Sequence, residues 1–390
     1  MSNKTTELIN NAKALQPQLR ERIIEGEGKR RIPEASIADF HEAGFFRMLQ
    51  PKRYGGLEVH PNTYFDVQTL VAEVCASSAW VLGVVGVHSW QLALFDPKAQ
   101  DDVWGDNPQS LISSSYAPTG TVRRVEGGFE LSGRWSFSSG CEHCDWIFLG
   151  GFAPVEEGRP PDMRTFLLPR SDYAIQDTWH TMALKATGSH DVVVDKAFVP
   201  DYRTHKISDG FKCDSPGNQV NDSPLYRLPF GQIFVRSVST SAIGIARGAL
   251  AFYKEVTSVK VGAADGKQAK IDPSAQMACA RAASTIDAAE LVLHRNFDKM
   301  MAYAQKGERI PVEERVAWRW DSAEVVTKMV GVVDELFGLC GGRALFTNSP
   351  MHRYFCDVHG ARAHFANRPE PSGRNYGRVQ LGMKTTDYFI

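Results

Sequence analysis

The apolar residues of this chain change period twice, and that limits the folds open to it. From residue 1 to about 112 they recur at three- and four-residue steps. Leu8, Ala12, Leu15, Leu19 and Ile23 form one stripe, as the buried face of a helix does. Ile37, Phe40 and Phe45 continue in that style until Pro51-Lys-Arg-Tyr-Gly-Gly56 breaks it as a turn. Apolar helices are predicted from Tyr64 to about Val74 and from about Ser78 to Phe95. Between about 113 and 225 the period is two. In Phe129-Glu-Leu-Ser-Gly-Arg-Trp-Ser-Phe137, positions 129, 131, 135 and 137 are predicted to share one strand face, with Gly127-Gly128 as a hairpin turn before them. Trp146 to Gly150, Thr165 to Leu168 and Asp191 to Val194 are further predicted strands. From about 228 the helical period returns, over 228–260, 273–305, 311–340 and 350–366. Pro350 suits the first turn of the last helix.

The expected fold class is therefore α+β. A helical domain spans 1–112, a small β-barrel or sandwich 113–225 and a four-helix bundle 226–390. The polar stretch Asp209 to Ser223 is read as a mobile loop.

Charge and composition exclude several classes of function. The 390 residues carry a net charge of −1, so no basic footprint for nucleic acid or an anionic membrane is present. The cluster Lys29, Arg30, Arg31 reads as a solvated helix face. No apolar run approaches the roughly 20 residues of a membrane span. The polar start MSNKTTELINNAK lacks a signal-peptide core. Seven scattered cysteines read as reduced thiols in a cytoplasmic protein.

Missing motifs narrow the chemistry further. There is no G-x-G-x-x-G and no G-x-x-x-x-G-K-[ST], so a nicotinamide site on this chain has no support. Cys141-Glu-His-Cys144 has half the ligands of a structural zinc site and no second C-x-x-C. It reads as a packed turn, with no metal expected. H-E-x-x-H and G-x-S-x-G are also absent.

Against this background Gly44-Phe-Phe-Arg-Met-Leu-Gln-Pro-Lys-Arg-Tyr-Gly-Gly56 resembles the N-terminal signature of the acyl-CoA dehydrogenase superfamily. Within it, five stretches resemble the oxygenase components of two-component flavin-dependent aromatic monooxygenases. These are Cys75-Ala-Ser-Ser-Ala-Trp80, Val84-Val-Gly-Val-His-Ser-Trp90, Ile112-Ser-Ser-Ser-Tyr-Ala-Pro118, Trp135-Ser-Phe-Ser-Ser-Gly-Cys141 and Lys185-Ala-Thr-Gly-Ser189. The likeness is greatest to oxygenases acting on a phenolic secosteroid, then to those acting on 4-hydroxyphenylacetate. Dehydrogenases of the superfamily need a carboxylate base in a Tyr-Glu-Gly-Thr-like segment. The comparable stretch here, His352 to His364, has no such glutamate.

The resemblance implies reduced FMN or reduced FAD as cofactor, O2 as co-substrate and a flavin C4a-hydroperoxide as oxidant. It implies a separate NAD(P)H:flavin reductase, an aromatic substrate and a homotetramer. It assigns Trp80 and Ser139 to the flavin ring, Ser139 at its N5, and Lys260 with the Gly341-Gly342 turn to flavin phosphate at a shared site. It places His88 and Ser114 on the substrate phenol, Phe234 in the substrate pocket and His364 on the oxygen side. Physically, a histidine inside the apolar run around His88 needs a partner or a ligand, and imidazole suits a general base. His364 is expected on a helix face behind Ala361 and Gly360, whose small side chains leave room for a ligand. An acyl-CoA dehydrogenase with an unusual base and a monooxygenase of an indole-type heterocycle are the competing readings.

Overall fold

The computed structural model describes residues 3–261, 266 and 268–390. Six helices come first: α1 Asn3–Glu21, α2 Ile23–Lys29, α3 Glu34–Glu42, α4 Pro61–Ala72, α5 Ala76–Leu92 and α6 Pro97–Trp104. Leu8, Ala12 and Leu19 form the buried stripe of α1, and Ile23 opens α2. In α5 every residue except Ser89 is buried, which is how a helix apolar all round must sit.

The middle of the chain forms β1 Ile112–Ser115, β2 Thr121–Val125, β3 Gly128–Ser138, β4 Trp146–Ala153, β5 Asp162–Pro169, β6 Ala174–Gln176, β7 His190–Pro200 and β8 Thr204–Lys206. Among the described residues these make two open four-stranded sheets, ordered β1-β4-β5-β8 and β2-β3-β7-β6, rather than one closed barrel. Phe129, Leu131 and Trp135 of one sheet pack on Ile147, Leu149 and Phe166 of the other. The Trp135 indole N–H donates to the Gly150 carbonyl at 2.9 Å. Each sheet thus buries one face against the other, as a sandwich does.

One strand residue points the opposite way from its expected side. Register shifts interrupt β3 between Trp135 and Ser138, and Phe137 has φ +67°. The irregularity reverses its side chain, leaving Phe137 72% exposed while Phe129, Leu131 and Trp135 are buried. The hairpin before β3 turns through Glu126-Gly127, with Gly127 at φ +74° and Gly128 already paired with Val125.

Asp209 to Ser223 is also more ordered than a mobile loop. It contains the end of α7 (Ile207–Lys212) and a 3-10 turn at Pro216–Gln219. Asn221 is buried there and donates to the Ala93 carbonyl at 2.8 Å.

The rest is helical: α8 Phe230–Val259, α9 Pro273–Lys306, α10 Val312–Cys340, α11 Pro350–Ala363 and α12 Pro369–Gln380. Pro350 does open a helix, but α12, opened by Pro369, comes after it. Glycines set how closely the helices cross. A Cβ on Gly83 of α5 would lie 2.0 Å from the Gln68 amide nitrogen and 3.0 Å from the Ser237 carbonyl oxygen. That amide donates to Ala79 O of α5 at 3.2 Å and to Ser237 O of α8 at 2.6 Å, joining three helices at one point.

His205 on β8 stacks on Phe95 at 5.3 Å and meets Ser215 Oγ at 3.0 Å. Burial lowers its pKa from 6.5 to about 4. In the unfolded chain it takes a proton near pH 6.5; in the folded chain only near 4. The unfolded state therefore binds the extra proton between these values, and this histidine's contribution to stability is lost as pH falls through them. The loss reaches on the order of 3 kcal/mol. Urea melts at pH 7.5 and pH 5 test this: His205→Gln should flatten the acid slope of the wild type.

Candidate active site

The elements carrying the predicted residues converge on α5. Trp80 and His88 both lie on it, eight residues apart. The end of β3 reaches the helix beside Trp80 because Gly140, at φ +70°, has no side chain; a Cβ there would lie 2.8 Å from Val81 Cγ1. The Trp80 indole N–H consequently donates to Ser139 Oγ at 3.2 Å. Ser139 Oγ lies 2.7 Å from Ser189 Oγ, which lies 2.7 Å from Thr187 Oγ1. Thr187 and Ser189 belong to the quoted Lys185–Ser189 stretch, but nothing in the sequence tied them to Ser139.

A run of rings leads from this cluster to His88. Trp80 meets His364 at 5.6 Å, His364 meets Phe234 at 6.1 Å, Phe234 meets Tyr116 at 5.1 Å and Tyr116 meets His88 at 6.2 Å. Phe230 and Phe389 close on Phe234 at 5.9 and 5.7 Å. Tyr116, Phe230 and Phe389 were not singled out in the sequence. Tyr116 stood next to the Ser-Ser-Ser run, whereas Phe389 arrives from the far end of the chain.

The two histidines present opposite faces to this enclosure. His88 is 1% exposed, and its Nδ1 lies 2.5 Å from the Ile112 carbonyl oxygen. A carbonyl only accepts, so Nδ1 carries the proton and Nε2 is left with a bare lone pair. Nε2 has no partner. Burial lowers the His88 pKa to about 4, so the ring is neutral at pH 7. His364 is wired the other way. It caps the C-terminus of α11 with φ −61° and ψ 135°, off the helix face on which it was expected. The 3-10 turn Phe365–Asn367 begins there, and Ala366 N donates to His364 Nδ1 at 3.2 Å. Neutral His364 thus offers an Nε2–H donor. Burial first, and the Arg319 charge second, lower its pKa to about 4.

Alternation along β1 sorts its serines. Ser113 and Ser115 are buried, and Ser115 donates to Ser136 O at 2.8 Å. Ser114 points the other way and is only half-buried, and the hydroxyl of Tyr116, two residues on, donates to Gln91 Oε1.

Lys260 and Gly341 meet at a second place, the ends of α8 and α10. Lys260 Nζ donates to Cys340 O at 3.2 Å. Gly341 has φ +72°, and a Cβ on it would lie 3.8 Å from that Nζ. Gly342 follows in the 3-10 turn Gly341–Leu345. The Cys141 and Cys144 thiols donate to the Gly188 and Gly140 carbonyls at 3.6 and 3.3 Å, and burial pushes the Cys141 pKa up to about 12.

These residues fit a flavin ring beside Ser139. The Trp80 indole supplies an aromatic wall and the Ser139 hydroxyl a hydrogen-bonding group at its edge, and the exposed Phe137, two residues before Ser139, stands edge-on to Trp179 at 6.3 Å.

Comparison with known proteins identifies the family. The acyl-CoA dehydrogenase C-terminal domain family matches residues 237–369. The oxygenase subunit HsaA of a flavin-dependent monooxygenase from Rhodococcus jostii is 40% identical, over 97% of this chain and 99% of its own. The oxygenase component of a FADH2-dependent resorcinol hydroxylase from a Rhizobium species is 31% identical, over 92% and 90%. The crystal structure of the 3-HSA hydroxylase from Rhodococcus sp. RHA1 superposes with a TM-score of 0.94 at 40% identity, over 98% of this chain and 99% of that one. Similarity this extensive shows that the chain belongs to the oxygenase components of two-component flavin-dependent monooxygenases with the acyl-CoA dehydrogenase fold.

Proposed function

We propose that this oxygenase hydroxylates the ring of a phenol, steroid-derived or simple, using O2 and reduced FMN or FAD received from a separate NAD(P)H-dependent reductase. The observation that carries the reading is the partnerless, buried Nε2 of His88. Leaving such an atom unbonded costs about 1–3 kcal/mol, which a phenolic O–H donating to it removes. The resorcinol named for one relative is a phenol and suits this acceptor.

When bound, reduced flavin supplies the electrons that activate O2 for transfer of one oxygen atom. His88 accepts the phenol O–H and draws its proton, which enriches the ring at the carbons beside the oxygen. With its pKa near 4 in the free site, His88 is a hydrogen-bond acceptor first. It becomes a full base only when the forming phenolate, in the same dry surroundings, favours the imidazolium. Ser114 is the second hydrogen bond to the phenol, and Phe234, with Phe230 and Phe389, excludes water. Trp80 and Ser139 serve the flavin ring, Ser139 at N5. His364 offers its Nε2–H on the oxygen side. Lys260 and the Gly341-Gly342 turn hold flavin phosphate.

We further propose a homotetramer in the cytoplasm. Leu345 and Phe346, 68% and 65% exposed beside the Gly341-Gly342 turn, supply an apolar surface for a neighbouring copy. All seven cysteines are free thiols, as a reducing compartment keeps them. Among the described residues no helix is long and apolar enough to cross a membrane.

Three experiments test the reading. In stopped-flow mixing of reduced enzyme with O2, His88→Ala should reoxidise its flavin like the wild type. Its hydroxylated product should fall on the order of a hundredfold, with H2O2 released instead. Ser139→Ala should release H2O2 with or without substrate. For the assembly, light scattering should give the mass of four chains, and NADH should be consumed with substrate only when a flavin reductase is added.

A further inference from the structure

We propose that Thr187 and Ser189 are positioning residues that fix which way the Ser139 hydroxyl points its proton, and that this makes the site discriminate reduced from oxidised flavin. The proposal rests on the reading of Ser139 as the partner of flavin N5.

The direction follows from counting protons. Thr187 Oγ1 lies 3.0 Å from the Leu184 carbonyl oxygen, which can only accept, so the Thr187 proton is committed there. Across the 2.7 Å contact, Ser189 must then donate to Thr187. With the Ser189 proton used, Ser139 must donate to Ser189 across its own 2.7 Å contact. Trp80 Nε1 is donor-only and takes one lone pair of Ser139 Oγ at 3.2 Å. What remains on Ser139 is one lone pair and no proton.

A lone pair at that point suits one redox form. Reduced flavin carries a hydrogen on N5 and donates; oxidised flavin has a bare N5 and needs a donor. With every proton reversed, Ser139 would turn a proton outward and suit the oxidised form. That order would cost the Leu184 carbonyl the Thr187 hydroxyl.

The fold holds the carbonyl in place. Leu184 has φ +49°, rare for a branched side chain, and its N–H donates to Asp357 Oδ1 of α11 at 2.6 Å. Trp179 Nε1 and Thr187 N also donate to Leu184 O, at 3.0 and 3.1 Å. Thr187 is 1% and Ser189 4% exposed, so water has little access to reorient either hydroxyl.

The test is flavin binding, measured anaerobically by ultrafiltration with FMN and with FAD, each oxidised and dithionite-reduced. The wild type should bind the reduced form more tightly. Thr187→Val keeps the shape and removes the hydroxyl, and the ratio of oxidised to reduced Kd should fall roughly five- to tenfold, the worth of about one hydrogen bond. Ser189→Ala, which leaves the Ser139 proton free to turn outward, should lower the ratio similarly and serves if Thr187→Val does not fold. Thr187→Ser should restore the wild-type ratio. If the wild type prefers reduced flavin and neither variant changes the ratio, the proton-direction proposal is overturned while the Ser139–N5 reading stands. If the wild type shows no preference, that reading fails and the proposal with it.

Discussion

The site depends on one crossing. The Gln68 side-chain amide spends its two hydrogens on carbonyls of α5 and α8, over Gly83, where no side chain keeps the helices apart. That bond, with the Tyr64 hydroxyl on Leu82 O and Gly83 O at 2.8 and 2.7 Å, gives direction to a packing whose apolar contacts have none. Because α5 is fixed there, Trp80 and His88 lie on either side of the crossing, about 12 Å apart along the axis. One end meets β3 and the Ser139 cluster; the other meets β1 and the Ile112 carbonyl. The separation of the Ser139 end of the site from the His88 end is a property of this single helix.

Enclosure then comes from aromatic rings supplied by remote segments. Phe230 and Phe234 are one turn apart on α8, stacked at 5.9 Å, and Phe389 meets Phe230 edge-on at 5.5 Å. Gly231 admits that tail, since a Cβ on it would lie 2.4 Å from the Phe389 carbonyl oxygen. Buried Arg315 of α10 holds the same tail through the Ile390 carbonyl, Nε donating at 3.1 Å. A guanidinium is costly to bury, and its hydrogen bonds to Ile390 O and Phe211 O, with the Phe211 ring 4.4 Å away, offset that cost. The wall against water is therefore assembled from both ends of the bundle.

How much of this was legible in the sequence varied with the physics involved. Long helices were, because α5 and α8 to α11 each repeat one apolar pattern over many residues. The sandwich was legible as strands but not as two sheets, since alternation shows which side of a strand is buried and not which strand lies beside it. Phe137 was misplaced because a bulge costs nothing in the residue pattern, yet it reverses a side chain. His88 stood out as a polar residue in an apolar helix. Its tautomer did not, because Ile112, which sets it, is 24 residues away. His364 was found through resemblance, but its helix ended at Ala363, short of the 366 that the pattern suggested. Tyr116, Thr187 and Ser189 act through partners brought in by the fold, and no spacing announces that.

Asp357 shows why a titratable group must be placed before it is given a role. It is the sole carboxylate of α11, the helix in the stretch where a dehydrogenase would carry its base, and burial raises its pKa to about 7. Those two facts alone would revive the dehydrogenase reading. Geometry decides against it. The carboxylate is 5% exposed, accepts the Leu184 N–H at 2.6 Å and lines a small cavity against Arg22, Glu27, Ser77 and Arg353. It therefore faces α1 and α2, whereas the ring enclosure is built around Phe234, Tyr116 and His88. A base must reach the proton it removes, and Asp357 is spent instead on the backbone of the segment that leads to Thr187 and Ser189. The carboxylate on this helix thus holds the segment that carries Thr187 and Ser189, and among the described residues the group left bare beside the rings is an imidazole nitrogen.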